Sequence, residues 1–190
     1  MSSFAAFDGH VRVAAGSLAD VAERCKRWLD EHPNASPIVY DDTSGRPVDI
    51  DYRGTVSDVL ARLPAGDTEV EVPVKRGPGR PKLGVVAREV TLLPRHWDWL
   101  ASQPGGSSVV LRRLVESASR EGAPADRVRQ AREAVDRVMF ALAGDLPGYE
   151  EASRAFHRRE AERFDQLVMA WPEDVREYVR HLVERTGSDA

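Results

Sequence analysis

The densest concentration of one charge sign in the chain is Lys75-Arg76-Gly77-Pro78-Gly79-Arg80-Pro81-Lys82, four cations with no carboxylate among them. An extended Gly79-Arg80-Pro81 suits the floor of a DNA minor groove. Glycine lets the backbone approach closely, proline holds the chain extended, and a guanidinium enters where a narrow A·T-rich groove concentrates negative potential. Lys75, Arg76 and Lys82 flank that core at phosphate distance, and each phosphate contact releases counterions and adds salt-dependent affinity. The competing reading is a solvated tether whose charge keeps it soluble.

Other groups with chemical potential are weaker. Asp41, Asp42, Asp49 and Asp51 supply the oxygens a hard cation needs. Alternation places Asp49 and Asp51 opposite Val48, Ile50 and Tyr52, toward solvent, and no calcium-loop spacing is present. His157 and Glu160 stand three apart on a helical pattern, but Arg158, Arg159, Glu162 and Arg163 around them make an ion-paired helix face the better account. Cys25 is the single cysteine, which excludes an intrachain disulfide and a cysteine-rich zinc site; it falls where a helix would bury a small side chain. His96 beside Trp97 and Trp99 could stack on a base, and helix packing explains the tryptophans equally well. No nucleophile elbow, phosphate-cradling loop, dinucleotide fingerprint or His-Glu-x-x-His motif occurs. The expectation is a protein that is not an enzyme, with no catalytic residue, cofactor, metal or small-molecule substrate.

The rest of the chain frames the basic segment by contrast. Net charge is −4 over 190 residues; without the four cations of residues 75–82, 23 basic residues face 31 acidic ones and the remainder carries −8. The positive field is therefore local. Arginine dominates elsewhere, and the three lysines are Lys26, Lys75 and Lys82. A hydrophobic share of 42% supports a real core. No apolar run reaches the roughly 18 residues that cross a bilayer, and Met1-Ser2-Ser3-Phe4 does not open a secretory signal. A cytoplasmic protein at the nucleoid, with no membrane partner, is expected.

The elements that must position these residues can be read from turn and cap chemistry. Phe4–Phe7 and Val11–Val13 make a hairpin about Asp8-Gly9. Ser17 caps a helix with Leu18, Val21, Ala22, Cys25, Trp28 and Leu29 on one face. Ile38–Tyr40 and Val48–Tyr52 make a second hairpin, and Thr55–Leu63 a short closing helix. The result is a small domain over residues 1–70 whose sheet has one face covered. Residues 71–85 hold three prolines and three glycines between Val72 and Gly84, a connector that excludes helix. Residues 86–121 read as a strand ending at Leu93, a helix opened by Pro94, a glycine turn and a helix capped by Ser107 or Ser108. Residues 122–190 are helical, with one helix running from Ala152 to Trp171 and a last one started by Pro172. The fold class is α+β: two hairpins and two helices, a basic Pro/Gly-rich linker, then a mainly helical C-terminal region opened by a short strand.

Three resemblances follow from these residues. Gly79-Arg80-Pro81 resembles the AT-hook, whose core is arginine, glycine, arginine, proline; here Pro78 stands where the first arginine would be, which implies a weak hook that assists another binding surface. The order from Arg88 to Ser119 resembles a ribbon-helix-helix unit, in which two chains pair their strands in the major groove. That likeness implies a homodimer, with Arg88 and Thr91 on the strand, the N–H groups at Ser107-Ser108 on a phosphate, and Arg112 beside the backbone. Glu89 is a misfit there, since phosphate repels a carboxylate. Nearly end to end, from Phe4–Gly9 through Val39–Arg46 and Arg95–Leu100 to Trp171–Arg176, the chain is similar to a bacterial family defined only as a domain of unknown function. The expected function is therefore DNA binding, regulatory or nucleoid-associated, with A·T-rich minor groove favoured. The rival is a protein-interaction adaptor with a passive linker.

Overall fold

The structure, a computed structural model, describes residues 3–64, 86 and 88–187. The basic segment 75–82 lies outside the described residues. The chain divides into two compact units, one of residues 1–64 with 124–190, the other of residues 65–123.

The first unit is built on a four-stranded antiparallel sheet. Strands β1 (Phe4–Asp8), β2 (Val11–Gly16), β3 (Ile38–Asp41) and β4 (Pro47–Val48) lie in the order β2-β1-β3-β4. Asp8 pairs with Val11, so the two-residue loop is Gly9-His10, one position later than the sequence predicts; Gly9 takes the left-handed φ of +59°. Helix α1 (Leu18–Glu31) is capped by Ser17, whose hydroxyl accepts from the Asp20 amide at 3.2 Å. Helix α2 (Val56–Arg62) opens on a capping box of Thr55 and Asp58. The second hairpin is shorter than its alternation suggests, for pairing stops at Val48 and residues 49–52 leave the sheet.

Four further helices follow in this and the second unit: α3 (Pro94–Ser102), α4 (Ser107–Ala143), α5 (Tyr149–His157) and α6 (Ala161–Val168), closed by α7 (Glu173–Gly187). The expected small-domain sheet with one covered face is covered on both. Ala6 packs with Ala14, Val21, Cys25 and Val39 on one side. Ala5, Phe7 and Tyr40 pack on the other with Val135, Val138, Met139, Phe156, Tyr178 and Leu182 of the C-terminal helices. The N-terminal sheet and the C-terminal helices thus share one core and are not separate bodies. The middle of β1 is consequently buried, with Ala5, Ala6 and Phe7 exposed by 1% or less.

The helix expected from Ala152 to Trp171 is two helices. Its break is a Schellman closure: the Arg159 amide donates to the Phe156 carbonyl and the Glu160 amide to the Ala155 carbonyl, each at 3.0 Å. Arg159 takes the left-handed position at φ +60°, where glycine is usual. Without a glycine the sequence carries no stop signal there.

In the second unit, Pro94 occupies the first turn of α3, and Gly105 and Gly106, at φ +93° and +79°, turn the chain into α4. The expected short strand does not form: described residues 88–93 are irregular and exposed or half-exposed, with no ladder. No strand among the described residues pairs with them, and a strand alone leaves its backbone groups unpaired. The boundary expected at residues 121 and 122 falls inside α4, which runs on to Ala143 with Pro124 within it. The two units divide at that proline.

Candidate nucleic-acid interface

Of the residues expected to contact nucleic acid, Lys75, Arg76, Gly79, Arg80, Pro81 and Lys82 lie outside the described residues. Arg88, Thr91, Ser108 and Arg112 are exposed, and Ser107 is half-buried. Ser107, Ser108 and Arg112 come together on the first turns of α4. The Arg112 Nε–H donates to the Ser108 carbonyl at 3.2 Å, which holds the guanidinium along the helix and leaves its terminal N–H groups outward. The turn engages the Gly106 amide with Gln103 and the Val109 and Val110 amides with Gly106, while the Ser107 and Ser108 amides enter no backbone bond among the described residues. Free N–H groups at a helix start suit an anion.

The same unit carries an unusual amount of apolar surface. Only Leu100 and Val110 of its large hydrophobic side chains are buried among the described residues, at 2% and 1% exposure. Val90, Leu93, Trp97, Trp99, Val109, Leu114 and Val115 are each at least 40% exposed. Trp97 and Trp99 therefore are not consumed by helix packing as the bland reading of the sequence had it.

The other groups singled out in the sequence find ordinary partners. Asp51 binds Arg53 at 2.7 Å and Arg62 at 3.3 Å, and the two arginines hold its carboxyl well below the usual range. Asp42 is buried and accepts from the Tyr178 hydroxyl. His157 and Glu160 are on either side of the α5 break, and they bind Asp136 at 3.2 Å and Arg163 at 3.5 Å respectively. Burial raises the Cys25 thiol above its ordinary range, as expected of a packing residue. Among the described residues there is no cluster of three or more metal-ligating side chains, and no helix is long and apolar enough to cross a membrane. Sequence reasoning missed a cavity of about 450 Å³ beside the α5 break, lined in part by Arg132 and Phe156.

A small antiparallel sheet with two helices, followed by a mainly helical C-terminal region, defines an α+β protein. The chain belongs to the family described as an uncharacterized protein conserved in bacteria (DUF2239), whose model matches residues 3–183. No curated protein and no solved structure matches it.

Proposed function

We propose that this chain is a bacterial DNA-binding protein, regulatory or nucleoid-associated, which uses the segment around Arg80 in the minor groove and the start of α4 on the adjoining phosphates. The observation that carries the reading is charge segregation. From Lys75 to Arg113 eight lysines and arginines face only Glu89 and Asp98, a net of +6, whereas the rest of the chain holds 19 basic against 29 acidic residues, a net of −10. A polyanion is attracted to the first stretch and repelled by the remainder, which fixes the face of approach. Arg80 enters the groove, with Lys75, Arg76 and Lys82 on phosphates. Pro78 in place of a second groove arginine makes this contact an auxiliary one. Arg88, Ser107, Ser108 and Arg112 supply the second surface, and the exposed apolar side chains of the second unit support pairing with another copy.

Fluorescence anisotropy on an A·T-rich and a G·C-rich duplex tests the reading. Four phosphate or groove cations predict a log–log salt slope steeper by about 3 to 4 than that of the Lys75, Arg76, Arg80, Lys82 quadruple alanine variant. Arg80→Ala should lose most of the preference for the A·T-rich duplex. Equal binding by the wild type and the quadruple variant sinks the proposal.

A further inference from the structure

The cavity in the first unit lies where α4, α5, α6 and α7 meet, in the unit that holds none of the candidate nucleic-acid contacts. Its volume of about 450 Å³ is within the ~300–1,000 Å³ usual for small-ligand sites. Val128, Ala155, Phe156, Phe164 and Val183 give it an apolar lining. Arg132, Arg159 and Arg180 also line it.

These cations differ in what answers them. Arg180 is bound to Asp165 at 3.0 Å, and Glu160 to Arg163 at 3.5 Å, so both acids are neutralised. Glu184, also on the rim, is engaged as well. Arg132 lies over the Phe156 ring, 5.8 Å from its centroid, and its buried Nε–H has no acceptor among the described residues. Arg159 forms no side-chain bond or ion pair among the described residues. Its backbone sits at φ +60°, the C′ position of the α5 Schellman closure, where glycine is the unstrained choice. A long cation thus stands at the mouth of an apolar cavity in a backbone conformation that penalises any side chain, and strain of this kind collects at binding sites.

We propose that this cavity binds a small amphipathic carboxylate, its apolar body against Phe156, Phe164 and Val183 and its head held by Arg132 and Arg159. A guanidinium presents paired N–H donors that match the two oxygens of a carboxylate. The cation–π contact with Phe156 presets the Arg132 side chain, so little ordering is required on binding. The apolar lining excludes inorganic anions as the preferred ligand, because they leave Phe156 and Phe164 facing water.

Calorimetric titration of the full chain with decanoate, and with decan-1-ol as a neutral probe of equal length, tests the site. Decanoate should saturate at one per chain and bind at least about tenfold more tightly than the alcohol, as expected for charge-assisted hydrogen bonds. Arg159→Gly suits φ +60°, so its melting temperature should equal or exceed the wild type's while decanoate affinity falls about tenfold. Arg132→Gln should weaken decanoate similarly. Ala161→Trp, a substitution at an exposed position on the cavity wall, should block binding by filling the mouth. Equal affinity for acid and alcohol, wild-type affinity in the folded Arg159→Gly protein, or unaltered binding by Ala161→Trp each overturns the proposal. None of these outcomes depends on whether the chain binds DNA.

Discussion

The Tyr178 hydroxyl donates a 2.7 Å hydrogen bond to Asp42 Oδ1, tying the residue after β3 to the middle of α7. Asp42 is only 7% exposed, its amide donates to the Ser3 carbonyl at 2.9 Å, and Arg185 Nη1 stands 3.8 Å from its other oxygen. Burial, reinforced by the Asp42 charge, pushes the Tyr178 hydroxyl far above its ordinary range, so it stays a donor at every working pH. Tyr178→Phe removes the donor and leaves a buried carboxylate with less compensation. It should cost about 2 kcal/mol in chemical denaturation. In the Asp42→Asn background the same substitution should cost less, and full additivity would show that the bond contributes nothing.

The turn between β3 and β4 docks on α4 through a glycine. Gly45 has φ +64°, and a Cβ there would lie 2.4 Å from the Ala134 carbonyl oxygen and 2.7 Å from its Cα. Arg137 donates to the Ser44 carbonyl beside it. Gly45→Ala therefore meets both a disfavoured backbone conformation and a rigid helix, and should destabilise by roughly 2 to 5 kcal/mol. Gly9→Ala is the control, since Gly9 shares the left-handed φ at +59° but a Cβ there meets nothing within 4 Å. It should cost only about 1 kcal/mol. Equal losses in the two variants would mean that the approach to Ala134 does not matter.

Elements with chemistry at their ends were legible before the fold. Ser17, Thr55 and Pro94 mark helix starts because the cap or the ring acts within its own turn. What crossed long sequence separations was not legible. Phe4-Ala5-Ala6-Phe7 is a continuous apolar run, the signature of a strand covered on both faces, but nothing local says that α7 supplies the second cover. Asp42 reads as one of several turn carboxylates until Tyr178 is placed against it. The α5 break was hidden because Arg159 stands where glycine would have announced it, and the cavity beside that break was hidden with it. The strand expected before Pro94 is a different case: the described residues 88–93 pair with no strand among the described residues.

Acid should expose the role of Asp8. The Trp28 indole N–H donates to its carboxylate at 3.0 Å and the Ser36 amide at 3.1 Å, and together they hold the carboxyl below its ordinary value of 3.8. A native pKa below the unfolded one means that the fold favours the ionised form. The stability from this group is therefore complete above the ordinary value and drains as pH falls through the depressed one. Asp8→Asn should lower stability at neutral pH, and the gap between variant and wild type should close below about pH 4. A gap that stays constant into acid would rule out the ionised carboxylate as the acceptor.

The second unit should bury its apolar face against another copy. Eight large side chains among its described residues are at least 40% exposed against two that are buried, an inverted ratio for a unit expected to be stable in water. Residues 88–92 form no backbone hydrogen bond among the described residues, which leaves their N–H and C=O groups available to a partner strand. Antiparallel pairing of two such segments would complete a ladder and cover Val90 on one face of the ribbon. Light scattering should accordingly return twice the chain mass at micromolar concentration. Val90→Arg puts a charge at a position 55% exposed, so it removes no packing within the chain but opposes a second copy. It should yield a monomer with unchanged circular dichroism in the far ultraviolet and weaker DNA binding, because one monomer presents half the cations of a pair. A wild-type chain that is monomeric at micromolar concentration rules the pairing out, and DNA binding would then rest on the segment around Arg80 and the start of one α4 helix.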